Sequence, residues 1–162
     1  MNSDNAPNRP QQAITWLEIV GTILRLHRQA ANVTQGDVAT AIGAAGHGSV
    51  ARFERGIASP SVEQLAQIAQ CCRTSPSAFM RDADGARLLL ERLGVRITDT
   101  RREMDALIEA GGYSRDRSVL DHVNRYIDGY HGRADERATA IQLIREASRG
   151  FHLEDYRGDV PW

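Results

Sequence analysis

The chain contains no lysine; all 20 of its Lys or Arg positions are arginine. A phosphate loop of the G-x-x-x-x-G-K-[ST] kind needs that lysine to neutralise the phosphates, so this route to nucleotide binding is closed. Cysteine is scarce too, with 2 in 162 residues, adjacent at Cys71 and Cys72. Neighbours on a helix point about 100° apart, so a bond between them would be badly strained. We expect a reducing compartment and two small buried side chains. A vicinal-thiol redox sensor or metal site is the alternative, and no second cysteine pair or close histidine accompanies it. No apolar run approaches the roughly 18 residues of a membrane span. The opening MNSDNAPNRPQQ is polar and lacks the apolar stretch of a secretory signal, so it reads as a disordered tail and a cytoplasmic location is the default.

Excess charge is also missing. The net charge is −1. Up to Asp82 there are seven arginines against six acids, and from Ala83 onward thirteen against fifteen. Any nucleic-acid binding must therefore come from local placement of arginines and helix ends, not from bulk charge. The acids are scattered on polar faces and the 5 histidines show no ligand spacing, so neither catalysis, a metal nor a cofactor is expected.

What is present is helical periodicity. Leu17, Val20, Ile23, Leu24 and His27 recur at three- and four-residue spacing, which predicts a helix from near Ala13 to about Ala31, stopped by Asn32. Thr34 caps a second helix running to about Ile42, with Val38, Ala39 and Ile42 inward. A glycine-rich stretch, IGAAGHGSVARFERG, follows from residue 42 to 56. Its spacing suggests a phosphate cradle, but a dinucleotide loop needs a strand before its first glycine, and GDVATAI is helical in period. Val50 and Phe53 instead give a short apolar edge that Gly56 ends. Ser61 with Gln64 makes a capping box for a helix over about 62–72 whose Val62, Leu65, Ile68 and Ala69 turn inward. Ser75 and Pro76 open a further short helix containing Phe79 and Met80.

In order and spacing, GTILRLHRQAANVTQGDVATAIG, SVARFERG, SPSVEQLAQIA and TSPSAF resemble the helix-turn-helix domain of the Cro/repressor (Xre-type) transcriptional regulators, over residues about 14–80. The resemblance implies a five-helix, lambda-repressor-like domain whose third helix enters the major groove of double-stranded DNA. It implies a backbone-phosphate contact for Gln35, base-facing positions for His47, Gly48, Ser49 and Arg52, close approach at Ala51, and phosphate contacts from Arg55 and the loop to Ser59. Arg28 and Glu54 match an internal ion pair. The chain departs from the family pattern in three places. It has one extra residue between Ala39 and Gly56, Gly46 stands near where a Ser or Thr cap is usual, and His27 stands where Leu is usual. Helix three is accordingly expected to start late, or to order only on DNA.

The expected fold class is all-α: a disordered tail over 1–12, the helix-turn-helix domain over 13–82, a joint at Asp82–Gly85, and a smaller helical domain over 83–162. In the second half, Leu88–Leu93 reads as one or two helical turns, Val95–Thr98 as a short extended piece, and residues from Thr98 or Asp99 to Ala110 as a helix with Met104, Leu107 and Ile108 inward. Val119, Leu120, Val123, Tyr126, Ile127 and Tyr130 form a broad apolar helical face, either a homodimer contact or the core of that domain. A last helix spans about Ala134–Ser148. Residues 95–127 also resemble, more loosely, a ribbon-helix-helix unit, which would require its strand to pair across a dimer. The functional expectation is a sequence-specific DNA-binding regulator, a homodimeric repressor. The alternative is an antitoxin that binds a toxin through its C-terminal half and represses its own promoter; a third reading is a helical adaptor that uses the fold for protein contacts alone.

Overall fold

The computed structural model describes residues 11–115, 117 and 120. Six helices and three short strands occupy them: β1 (Gln11–Thr15), α1 (Trp16–Ala30), α2 (Gln35–Ala41), α3 (Gly48–Glu54), α4 (Val62–Cys71), α5 (Pro76–Arg92), β2 (Arg96–Thr98), α6 (Arg101–Glu109) and β3 (Tyr113–Ser114). The architecture is mostly helical, as the periodicity implies, with a small parallel sheet added in the order β2-β1-β3.

That sheet corrects the start of the chain. Residues 13–15 are strand, not helix, and α1 begins at Trp16. The reason is local and distant at once. Thr15 is extended, accepts the Glu18 N–H on its hydroxyl, and donates its own N–H to the Glu18 carboxylate at 2.9 Å, a capping box that stops the helix there. Ala13, Ile14 and Thr15 pair with Arg96, Ile97 and Thr98, while Gln11 and Gln12 pair with Tyr113 and Ser114. Ala13 and Ile14 are fully buried.

A second correction concerns the middle of the chain. Residues 82–85 are not a joint; they lie inside α5, which runs unbroken for 17 residues. Asp82 is wholly buried, with its Oδ2 2.7 Å from His27 Nε2, and the His27 ring lies 4.5 Å from that of Phe79. His27 is therefore matched by an acid one helix layer away, and this pair ties α1 to α5. A buried carboxylate needs such a partner. Outside, Arg87 links Asp84 and Glu91 across successive turns. Val62, expected inward, is 86% exposed at the mouth of α4.

β2 falls on the expected extended piece, but its partner is β1 of the same chain, in parallel. The pairing across a dimer that a ribbon-helix-helix unit requires is thus not met by this strand. The helix expected after Thr98 or Asp99 starts at Arg101, capped by Thr100, with Met104 buried and Leu107 and Ile108 half-buried. Leu120 is 3% exposed and belongs to the chain's own core. Val119, Val123, Tyr126, Ile127, Tyr130 and the helix expected at 134–148 lie outside the described residues.

The core joins Ile14, Ile19, Ile23, Leu24, Val38, Val50, Phe53, Ile68 and Phe79 in one cluster. Two glycines let backbones meet across it. A Cβ on Gly21 would sit 2.7 Å from the Glu54 carbonyl oxygen, and one on Gly56, whose φ is +67°, would sit 2.6 Å from Glu18 Cα. Of the two cysteines, Cys72 is buried and Cys71 half-buried. Burial, with Cys71 beside it, pushes the Cys72 thiol up to about 12.

These features set two expectations. Gly21→Ala improves helix propensity yet should destabilise the protein by about 1–3 kcal/mol, because backbone at α3 cannot yield. Gly36→Ala, where an added Cβ meets only the Thr34 hydroxyl oxygen at 3.6 Å, should instead be stabilising by about 0.5–1 kcal/mol; urea midpoints of the two variants will move in opposite directions. At pH 8 a disulfide-exchange reagent should titrate Cys71 alone in the native protein and both thiols after denaturation, since a thiol whose ionisation is pushed up stays protonated and unreactive.

Candidate nucleic-acid interface

The unit α2–turn–α3 is set up by caps and by one carboxylate. Thr34 opens α2 with a reciprocal pair: its hydroxyl accepts the Asp37 N–H, and Asp37 accepts the Thr34 N–H at 2.9 Å. The hydroxyl and backbone of Thr34 hold the Asp37 carboxyl below the usual carboxylate range. Val38 and Ala39 turn into the core, and α2 stops at Gly43, whose φ of +66° is left-handed. Ala44 N–H closes the turn on the Ala39 carbonyl at 2.9 Å.

α3 starts at Gly48, with His47 at the cap position and no side-chain hydrogen bond there. Two glycines without β-carbons and no capping Ser or Thr leave α3 only 7 residues long. Val50 and Phe53 point inward, while His47, Gly48, Ser49 and Arg52 are exposed together on the opposite side. Ala51 is half-buried; Arg55 and Ser59 are exposed beyond the helix. Ser59 Oγ stays local, 3.2 Å from the Pro60 carbonyl.

Glu54 fixes this unit to α1. Arg28 Nε donates to Glu54 Oε1 at 2.5 Å and Nη2 to Oε2 at 3.2 Å, while Nη1 donates to the Val33 carbonyl at 2.9 Å. The Gln35 amide nitrogen donates to Oε2 at 2.7 Å. Gln35 is thus turned onto Glu54, and among the described residues its second amide hydrogen has no acceptor.

Three residues beyond the expected set also belong here. Glu18 is 3% exposed beneath Gly56. Its Oε1 accepts no hydrogen bond among the described residues, but Arg117 Nε lies at 3.5 Å and Arg115 Nη2 at 3.8 Å. Arg117 Nη2 also donates to the Arg55 carbonyl at 3.1 Å. The segment after β3 therefore grips the end of α3. The Thr-x-x-Glu spacing of Thr15 and Glu18 was a readable sign of the cap; nothing local indicates that Arg115 and Arg117 return to it from a hundred residues away.

Glu54→Gln keeps the shape but strands the Arg28 charge in the interior, so it should destabilise the protein by about 3 kcal/mol. Arg87→Ala, which removes only exposed pairs on α5, should cost less than about 1 kcal/mol. Denaturant midpoints measure both, and similar losses would show that the buried pair carries no special weight.

Among the described residues no helix is long and apolar enough to cross a membrane, and no group of three or more His, Cys, Asp or Glu side chains could hold a metal ion. No curated protein and no solved structure matches the chain. Residues 19–79 match a family model described as a helix-turn-helix domain, which coincides with α1 through the first turn of α5, so this stretch is a helix-turn-helix domain.

Proposed function

We propose that the chain is a sequence-specific DNA-binding transcriptional regulator of the Cro/repressor type, acting as a homodimeric repressor on a two-fold symmetric site. One observation carries this reading: on the third helix of a helix-turn-helix domain, the apolar side is spent on the core and His47, Gly48, Ser49 and Arg52 are left facing outward. An α-helix with its side chains is about 10–12 Å across, which a major groove about 12 Å wide admits.

Arg52 is the specificity residue in this reading. Its fork matches guanine O6 and N7 in a bidentate contact. His47 and Ser49, at the groove-entering end, bond base edges or phosphate, and Gly48 lets the backbone approach. Gln35 and Arg55 meet phosphates on either side, which sets the register but carries no base information. With bulk charge near zero, affinity depends on this handful of contacts and falls as salt rises. One such unit reads only a few base pairs, so a second copy placing its α3 one turn of DNA away, about 34 Å, supplies the rest of the site.

Selection of bound sequences from a random DNA pool tests the reading, since it yields the site, its symmetry and its half-site spacing together. Arg52→Ala should weaken binding to the selected site about tenfold and relax the preference at one base pair. Affinity independent of salt, with no enriched sequence, would overturn the regulator reading; unchanged selectivity in Arg52→Ala would overturn the assigned register of α3.

A further inference from the structure

We propose that the cavity lined by α1, α3, Arg117 and Leu120 is a binding site for a small, multiply charged phosphate-type anion, and that its occupant competes with DNA. The competition rests on the regulator reading above; the anion site itself does not.

The cavity measures about 580 Å³, within the range of small-molecule pockets. Among the described residues four guanidiniums line it, from Arg25, Arg28, Arg55 and Arg117, against a single carboxylate, Glu54. This concentration of positive charge stands out in a chain whose net charge is −1. Glu54 is already committed, to Arg28 on two points and to Gln35. Arg25 has no ion pair or hydrogen bond among the described residues, and Arg55 spends only its Nε, on the Ala51 carbonyl of its own helix. Arg117 faces the buried Glu18 at 3.5 Å with Nε and holds the Arg55 carbonyl with Nη2. Like charges gathered around one space repel, and an anion relieves them. Guanidinium forks bind phosphate oxygens two at a time, which favours a phosphate-bearing ligand over a simple halide.

The donors come from outside the α2–turn–α3 unit as well as from it. Arg25 belongs to α1 and Arg117 to the segment after β3, and Leu120 walls the space. The volume exceeds what one phosphate fills, which points to a phosphorylated small molecule and away from a single backbone phosphate. Gln35 and Arg55 line the same cavity, and both are assigned to the DNA backbone above. An occupant that takes these donors excludes the duplex. Arg117 also couples the site to the end of α3 through the Arg55 carbonyl, so drawing it onto a ligand changes how that end is held.

The test uses the full chain and inorganic pyrophosphate as probe, at constant ionic strength with chloride as the control. Pyrophosphate should raise the melting temperature saturably, and Arg25→Gln and Arg117→Gln should each require about tenfold more of it for the same shift, as loss of a charge-assisted contact implies. Arg25→Gln breaks no contact among the described residues, so its melting temperature in chloride should equal that of the wild type, which shows the variant is folded. No rise beyond chloride, or an equal rise in both variants, overturns the site. In a second arm, pyrophosphate should displace a selected DNA duplex from the wild type, and Arg25→Gln should resist that displacement while still binding the duplex. If Arg25→Gln loses the duplex as fully as it loses pyrophosphate, the cavity is a DNA-backbone site and the small-anion assignment falls. A wild type that binds no DNA overturns the regulator reading and the competition, and the melting shift alone then decides the anion site.

Discussion

The buried pair of Arg28 and Glu54 is the constraint on which the described structure turns. Removing two charges from water is costly, and the cost is met only where geometry is good and the remaining oxygens are bonded. Here both conditions hold: Glu54 takes Arg28 on both oxygens and Gln35 on one. Arg28 lies in the last turn of α1, Gln35 begins α2, and Glu54 ends α3. A single carboxylate thereby orients three helices. Apolar contacts among Leu24, Val38, Val50 and Phe53 supply most of the cohesion, but they are non-directional. The directional bonds decide the angle at which α3 offers its outer side.

Close packing completes what the ion pair begins. Gly21 admits the end of α3 against α1, and Gly56 admits the backbone of Glu18 beneath it. Both are positions where a side chain has no room, and both join α1 to the same turn at the end of α3. α3 is short, has no side-chain cap at its start and is anchored mainly at its far end. Its rigidity is borrowed from α1 and from Arg117, not generated by its own hydrogen bonds.

Much of the fold was legible because it is written locally. Thr34, Ser61 and Ser75 announce helix starts by side-chain chemistry that acts over three residues, and the spacing of Val38, Ala39, Val50, Phe53, Ile68 and Ala69 marks buried faces by period alone. What was not legible depends on partners far along the chain. QQAIT reads as the run-up to a helix until Arg96–Thr98 is beside it. Asp82 reads as a polar joint residue until His27 is found 55 residues earlier. Val62 fits an apolar period but sits at the first turn of α4, where no neighbour covers it. Of the candidate interface, the inward Val50 and Phe53 followed from the period and the outward positions from the family resemblance, whereas the cavity could not, since its arginines come from three separate stretches of the chain.

The position of β1 has a consequence for how the chain is assembled. β1 is the middle strand, and both of its neighbours run parallel to it. Parallel neighbours require long crossovers, so β1 has no partner until residues 96–98 and then 113–114 have been synthesised. The helices between make contacts that are nearer in sequence and can form first. While the nascent chain grows, Ala13 and Ile14 stay uncovered, and the Thr15 cap of α1 hangs from an unpaired segment. The sheet is thus a closing step: it forms only after the whole helix-turn-helix domain has been made, and it joins the start of that domain to the chain that follows it.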